Sequence, residues 1–241
     1  MLGGVEAYYA DVFEVTPQRL WDHEGAVVHE RRGARTGWGD VLAFRRGAAV
    51  RILAPTDLVD GLTGAVRDRS PDEVFTSEFL AGVLGARVDR VVGPNWRGYV
   101  DQQRLRLRPF DNCTRLGADD RAAAHTLRAA VGESDWAEGG FSEDGLTEVS
   151  FGAWLGRDLV AAANLTPWRT GADDVGVVTA PQHRGKGYGT VVVSAAVAWA
   201  LEHVPVVQYR ARSSNRPSLA LAARLGFDHY VDNIAIRLIQ D

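Results

Sequence analysis

The segment Gln182-His183-Arg184-Gly185-Lys186-Gly187-Tyr188-Gly189-Thr190 separates an apolar run, Val175–Pro181, from a long Val/Ala stretch. Glycines at alternate positions cannot continue a strand or open a helix by themselves, so the pattern reads as strand, tight turn, helix. Such a turn aims several backbone N–H groups and the positive end of a helix dipole at one point. That point suits a phosphate or diphosphate, and Arg184 and Lys186 add positive charge. The spacing is neither G-x-x-x-x-G-K-[ST] nor G-x-G-x-x-G, so nucleoside triphosphate and dinucleotide loops fit poorly.

Composition narrows the classes. A chain of 241 residues, 46% hydrophobic and 24% charged, is globular and long enough for one large or two small domains. The formal net charge of −4 argues against nucleic acid as a partner. No apolar run reaches membrane-span length, and the start Met-Leu-Gly-Gly-Val-Glu has neither a basic nor an apolar leader region, so a cytoplasmic protein without membrane attachment is expected. Cys113 is the single cysteine, which excludes an internal disulfide and reads as structural. No metal-ligand spacing is present.

Periodicity divides the chain into two regions. In the second, Arg104–Arg108 alternates as a half-buried strand, Ala118–Val131 reads as a helix stopped by Gly132, and Leu146–Leu155 and Leu159–Leu165 read as strands joined by Gly156-Arg157-Asp158. A strand at 174–179, a helix at 187–203, a strand at Val206–Ala211, a helix capped by Ser214 or Asn215 and a strand at Tyr230–Ile239 follow. In the first region, short strands are expected at Val27-Val28, Val41–Phe44, Val50–Leu53 and Val88–Val92. The last is followed by a turn at Gly93-Pro94-Asn95, and Ser70-Pro71-Asp72-Glu73 is a capping box that starts a helix. The expected organisation is an α+β region over 1–103, of unassigned role, and a larger domain over 104–241. His23, His29, Trp38 and Trp96 could line a cleft, but packing roles are the better reading.

A second block lies downstream: Asn215-Arg216-Pro217-Ser218, then Leu225-Gly226-Phe227. With the glycine turn, read as [Q/R]-x-x-G-x-[G/A], and the order of elements, it resembles the GNAT superfamily of acetyl-CoA-dependent N-acetyltransferases over residues 104–240. The resemblance implies an α/β fold: a mixed central sheet flanked by helices, with the smaller α+β region before it. It also implies acetyl-CoA as cosubstrate, no metal, and acetyl transfer to a primary amine of a small molecule or peptide by direct attack. A homodimer is compatible with it.

Carried over residue by residue, the resemblance gives Val177, Val178 and Thr179 main-chain contacts to the pantetheine arm. The diphosphate falls to Arg184, Gly185, Lys186, Gly187, Tyr188, Gly189 and Thr190, and Asn215 contacts the arm. An alkyl amine is protonated at neutral pH and must lose a proton before it attacks. The candidate bases are the pair Asp173/Asp174 and, on an earlier strand, Glu148. Glu138 and Glu143 lie where the fold shapes its acceptor pocket. The chain departs from the family at Ala222, where a tyrosine commonly protonates the leaving sulfur; Ser218, Tyr188, Tyr209 or water could take its place. Within the same fold an O-acyltransferase or a user of longer acyl-CoA remains open. The alternative from another class is a non-catalytic acyl-CoA-binding sensor or assembly module.

Overall fold

The structure, a computed structural model, describes residues 3–31, 40–109, 111–142, 145–167 and 172–239, without the side chains of Ala172 and Asp173. In chain order the elements are α1 (Gly3–Val12), α2 (Pro17–Leu20), β1 (Gly25–Glu30), β2 (Val41–Arg46), β3 (Ala49–Ala54), α3 (Thr56–Val66), α4 (Pro71–Val74), α5 (Ser77–Leu84) and β4 (Val88–Val100). They continue with β5 (Cys113–Arg115), α6 (Arg121–Val131), α7 (Glu133–Glu138), β6 (Val149–Leu155), β7 (Asp158–Pro167), β8 (Ala172–Thr179), α8 (Tyr188–Ala200), β9 (Val206–Arg212), α9 (Arg216–Leu225) and β10 (Asp228–Leu238). The fold is mixed α/β, as expected. Two compact units divide the chain. The first holds Gly98–Arg210 and Pro217–Asp228; the second holds Gly3–Arg97, Ala211–Arg216 and the segment from His229 onward.

In the first unit the strands run in the order β9-β8-β7-β6-β5. Strands β5 to β8 are antiparallel neighbours, and β8 and β9 are parallel. One face is covered by α6 and α7, whose Ala124, Leu127, Val131 and Trp136 pack with Phe141, Ala162 and Val178. Helix α6 is amphipathic, and Gly132, at φ +85°, ends it. Helix α8 carries apolar residues almost all round and is largely buried, as such a composition requires.

In the second unit β1 pairs in parallel with β3, β2 lies antiparallel to both β3 and β10, and α3 and α5 bury Leu58, Leu62, Leu80 and Leu84 in its core. The capping box at Ser70 forms in full, with Glu73 N donating to Ser70 Oγ at 3.3 Å and Ser70 N to Glu73 Oε2 at 2.9 Å. Arg51 is 2% exposed, and its guanidinium donates to the carbonyls of Leu20, His23, Gly25 and Val50. It knots the segment before β1 onto β3.

Three expectations about elements need correction. Arg104–Arg108 is not a strand. The amides of Arg104 and Leu105 turn back onto Asp101 O, that of Arg106 donates to Leu225 O at 3.0 Å, and that of Arg108 to Ser194 Oγ at 2.8 Å. No strand partner serves these groups, and Leu107 is exposed, so the alternation never has a buried face to fill. The edge position belongs instead to β5, where Cys113 pairs with Ala153. The strand expected from Leu146 starts at Val149, because the Thr147 hydroxyl bonds the Val149 carbonyl at 3.0 Å and bends the chain before it. Gly93-Pro94-Asn95 is not a turn, since β4 runs straight through it. Gly93, at φ +118°, is there because a Cβ would sit 2.6 Å from Asn233 O.

Candidate active site

Strand β8 organises the site. On one side it keeps a full antiparallel ladder with β7, from Pro167↔Asp173 to Ala161↔Thr179. On the other, its parallel ladder with β9 covers only Ala172↔Val206 to Val175↔Tyr209. Beyond Val175 the two strands part. Ala180 N donates to Val160 O at 2.9 Å, and peptide groups alternate sides along a strand. By that alternation Val178 faces β7, while the N–H groups of Val177 and Thr179 face the edge that β9 has left.

At the end of this edge stands the glycine turn. Gly185 and Gly187 lie at φ +75° and +91°, and nothing comes within 4 Å of a Cβ built on either. The first helical bond of α8 is Val191 N to Gly187 O, 3.1 Å, so the amides ahead of Val191 have no partner inside the helix. A Cβ at Gly189 would meet Thr179 Oγ1 at 3.0 Å and Val177 Cγ2 at 3.6 Å, which places the helix start against the open edge of β8. N–H groups of two kinds, from the free length of a strand edge and from a helix start, therefore lie beside one another.

Arg184 plays a different part from the one expected of it. Its amide donates to Pro181 O at 3.3 Å, its Nε to Thr179 O at 3.2 Å and its Nη2 to Asp135 Oδ2 at 2.7 Å. It braces the turn rather than offering its amide to a ligand.

Residues in register on parallel strands share a face, so the fork separates two polar clusters. On the α6/α7 face lie Asp174 and Gln208. Arg210 Nη2 stands 3.3 Å from Asp174 Oδ2, while Oδ1 is buried and has no hydrogen-bond partner among the described residues. Gln208 accepts from the Tyr99 hydroxyl at 2.7 Å. On the α8/α9 face lies Tyr209, whose hydroxyl is 2.8 Å from Ser218 Oγ. Burial pushes the Tyr209 phenol up to about 12; the Ser218 hydrogen bond opposes this and the Asp174 charge adds to it. Ala222, at the usual tyrosine position, is fully buried.

The other sequence candidates lie elsewhere. Glu148 is exposed in the bend before β6 and is not on a strand. Glu138 is exposed at the end of α7. The side chain of Asp173, and Glu143 and Trp38 altogether, lie outside the described residues. Asn215 belongs to the second unit, in the turn before α9, where its amide donates to Arg212 O at 2.8 Å. His23 is exposed, whereas His29 packs on Phe13 and Trp96 stacks on His229.

Burial raises the Cys113 thiol to about 11. It stays protonated through the window, from about 9 upward, in which an unfolded thiol ionises, so this site favours the folded chain below that window and loses the advantage through it. Iodoacetamide at pH 8 should label native Cys113 about 100-fold more slowly than the denatured chain, followed by mass spectrometry. Equal rates would reveal an accessible thiolate.

Sequence reading missed two supports of the cleft. Asn164 is buried in β7, with Nδ2 donating to Gly140 O at 2.7 Å and Oδ1 accepting from Gly176 N at 3.0 Å. Gly176 has no room for a Cβ, which would run into Gly139 O. Both carried a signal: a lone amide in the apolar run Val160–Leu165, and a glycine inside a Val-rich strand.

A sequence model described as the Acetyltransferase (GNAT) family matches residues 119–227. No curated protein matches the chain. Among solved structures, similarity is found to an acetyltransferase of the GNAT family from Novosphingobium aromaticivorans, at 22% identity over 62% of this chain and 67% of that one, with a TM-score of 0.45. A GNAT-family acetyltransferase from Colwellia psychrerythraea gives 19% identity, 68% and 62% coverage and a TM-score of 0.49. A GCN5-related N-acetyltransferase from Kribbella flavida gives 18%, 67% and 64%, and 0.47. The chain thus spans somewhat under two thirds of the length of the last two. With the forked strand and the glycine turn already in place, the comparisons lead to one conclusion: residues 119–227 are similar to the Acetyltransferase (GNAT) family, a likeness that supports an acyl-transfer function for this part of the chain.

Proposed function

We propose that the first unit is an acetyl-CoA-dependent N-acetyltransferase acting on a primary amine of a small molecule or peptide. The observation that carries this reading is the end of the β8–β9 ladder at Val175↔Tyr209, beside a helix start whose first helical bond is Val191 N to Gly187 O. The residues present fit the coenzyme. The amides of Gly185, Lys186, Gly187, Gly189 and Thr190, with Tyr188 in the same turn, make an anion cradle that positive-φ glycines keep open. The Val177 and Thr179 N–H groups offer preset donors along the edge. When bound, acetyl-CoA supplies a thioester carbonyl open to attack.

The remaining chemistry is assigned to the chain's own groups. Asp174 is the favoured base, because its Oδ1 is buried and unpartnered at the fork whereas Glu148 stands in solvent. It would hold the proton that the amine must lose. A donor aimed at charge developing on the carbonyl oxygen lowers the barrier by a few kcal/mol, and the Thr179 or Val177 N–H is placed for that role. On the opposite face the Ser218–Tyr209 pair takes the place of the absent tyrosine. With Tyr209 near 12 and an ordinary thiol near about 8.5, full proton transfer to a thiolate runs uphill by roughly three units. The pair therefore donates a hydrogen bond to the departing sulfur and keeps its protons.

The test is thiol release from acetyl-CoA over a panel of amines, with coenzyme binding followed by calorimetry. Binding without turnover on any amine would favour the second reading, a non-catalytic acyl-CoA module, for which buried Ala222 speaks. Asp174→Asn should lower kcat by about 100-fold or more, within the range of a lost general base. Glu148→Gln should leave kcat near wild type. The reverse pattern would reassign the base.

A further inference from the structure

The ion pair of Arg184 and Asp135 joins two parts of the first unit that are distant in sequence. Arg184 opens the glycine turn, and its guanidinium bridges Thr179 O, at 3.2 Å, and Asp135 Oδ2, at 2.7 Å. Asp135 sits in α7, a helix of 6 residues. A helix so short has no stability of its own in water, so its place depends on what grips it. Trp136 grips it from the core, with Nε1 donating to Ser142 O at 2.9 Å. Asn164 grips its exit through Gly140 O, at 2.7 Å. Arg184 ties its middle to the turn.

We infer that Asp135 and Arg184 form a latch through which filling of the glycine turn orders α7 and the loop Gly139–Ser142, so that coenzyme binding prepares the face of the fork carrying Asp174. This rests on reading the turn as the coenzyme site. The reason is mechanical. The turn has two positive-φ glycines, Gly185 and Gly187, with nothing among the described residues within 4 Å of a Cβ built on either, so an anion held by its backbone restricts it. Arg184 shares its backbone with the turn and its guanidinium with α7, and passes the restriction on. Both side chains of the pair are about half exposed, at 52% and 51%, so the bridge adds little rigidity alone and responds to the state of the turn. The loop it reaches is the one whose Gly139 lies against Gly176 of β8. Arg184 and Asp135 are thus positioning residues, and neither needs to touch an acceptor.

Hydrogen–deuterium exchange on the full chain, with free coenzyme A as the probe, tests the latch without turnover. In the wild type, coenzyme A should slow exchange over 185–191 and also over 133–141, the latter by about fivefold, the lower end of ordinary coupling between sites. Asp135→Asn should keep calorimetric binding and protection of the turn but lose protection over 133–141, and Asp135→Glu should restore it. Circular dichroism of both variants guards against misfolding. Protection over 133–141 that persists in Asp135→Asn, or is absent in a wild type that binds coenzyme A, overturns the latch and leaves the coenzyme reading intact. No binding heat and no protection of the turn sinks both.

Discussion

Gly187→Glu is expected to bind acetyl-CoA at least about 100-fold more weakly than the wild type while remaining folded. Two costs arise. Gly187 holds φ +91°, a backbone state in which an L residue loses about 1–2 kcal/mol. The new carboxylate would also stand next to a dianionic diphosphate. Two unit charges about 4 Å apart near a protein surface repel by about 4 kcal/mol, and flexibility of the glutamate will relieve part of that. The repulsion alone is comparable to the ~2.7 kcal/mol that a hundredfold loss requires, while the backbone cost falls on folding rather than on binding. Gly187→Ala carries the strain without the charge and separates the two effects. Calorimetry with acetyl-CoA on both variants reads the difference; a wild-type dissociation constant in Gly187→Glu would show that the turn holds no phosphate.

The largest stability effect is expected at Gly176. A Cβ there would run into Gly139 O and the Asn164 side chain, and Gly139 is backbone that cannot rotate aside. Either α7 and its exit loop lift from β8, or β8 shifts and breaks the Asn164 bond to Gly176 N. Overpacking of this kind costs about 3 kcal/mol. At about 2–4 °C per kcal/mol for a chain of this size, Tm should fall by roughly 6–12 °C in Gly176→Ala. Gly185→Ala, with nothing within 4 Å of its Cβ, should lose only the smaller cost of its φ. Equal shifts in thermal unfolding for the two variants would mean that the contact of the α7 exit with β8 is not as close as described.

Legibility followed the range of the interaction. The capping box at Ser70, the stop at Gly132, the turn at 185–189 and helices α8 and α9 depend on bonds within a few residues, and all stand where their residues suggest. Arg104–Arg108 failed for the opposite reason. Its alternation is real, but a strand needs a neighbour, and the groups that meet this segment are Leu225 O and Ser194 Oγ, far along the chain. Gly93-Pro94 looked like punctuation because sequence cannot tell a glycine that turns from one that lets β10 come close.

The candidate site divides along the same line. The glycine turn was readable at once, because glycines at positive φ before a helix start are a local feature of the chain. Which acid stands at the fork was not readable, since Asp173, Asp174 and Glu148 are alike as letters. Asp174 and Glu148 differ in side and depth: the register Asp174↔Gln208 sets the face of the first, and solvent takes the second. Ser218 and Tyr209 are nine positions apart and meet only because α9 folds back over β9. Backbone geometry at a turn is a local property, so the amino-acid sequence alone determined the glycine turn at 185–189 and the helix that follows it. Proximity between side chains from different elements is a property of packing, so the meeting of Asp174 with Arg210, the hydroxyl pair, the Asn164 brace and the Arg184–Asp135 link were decided only by the tertiary structure.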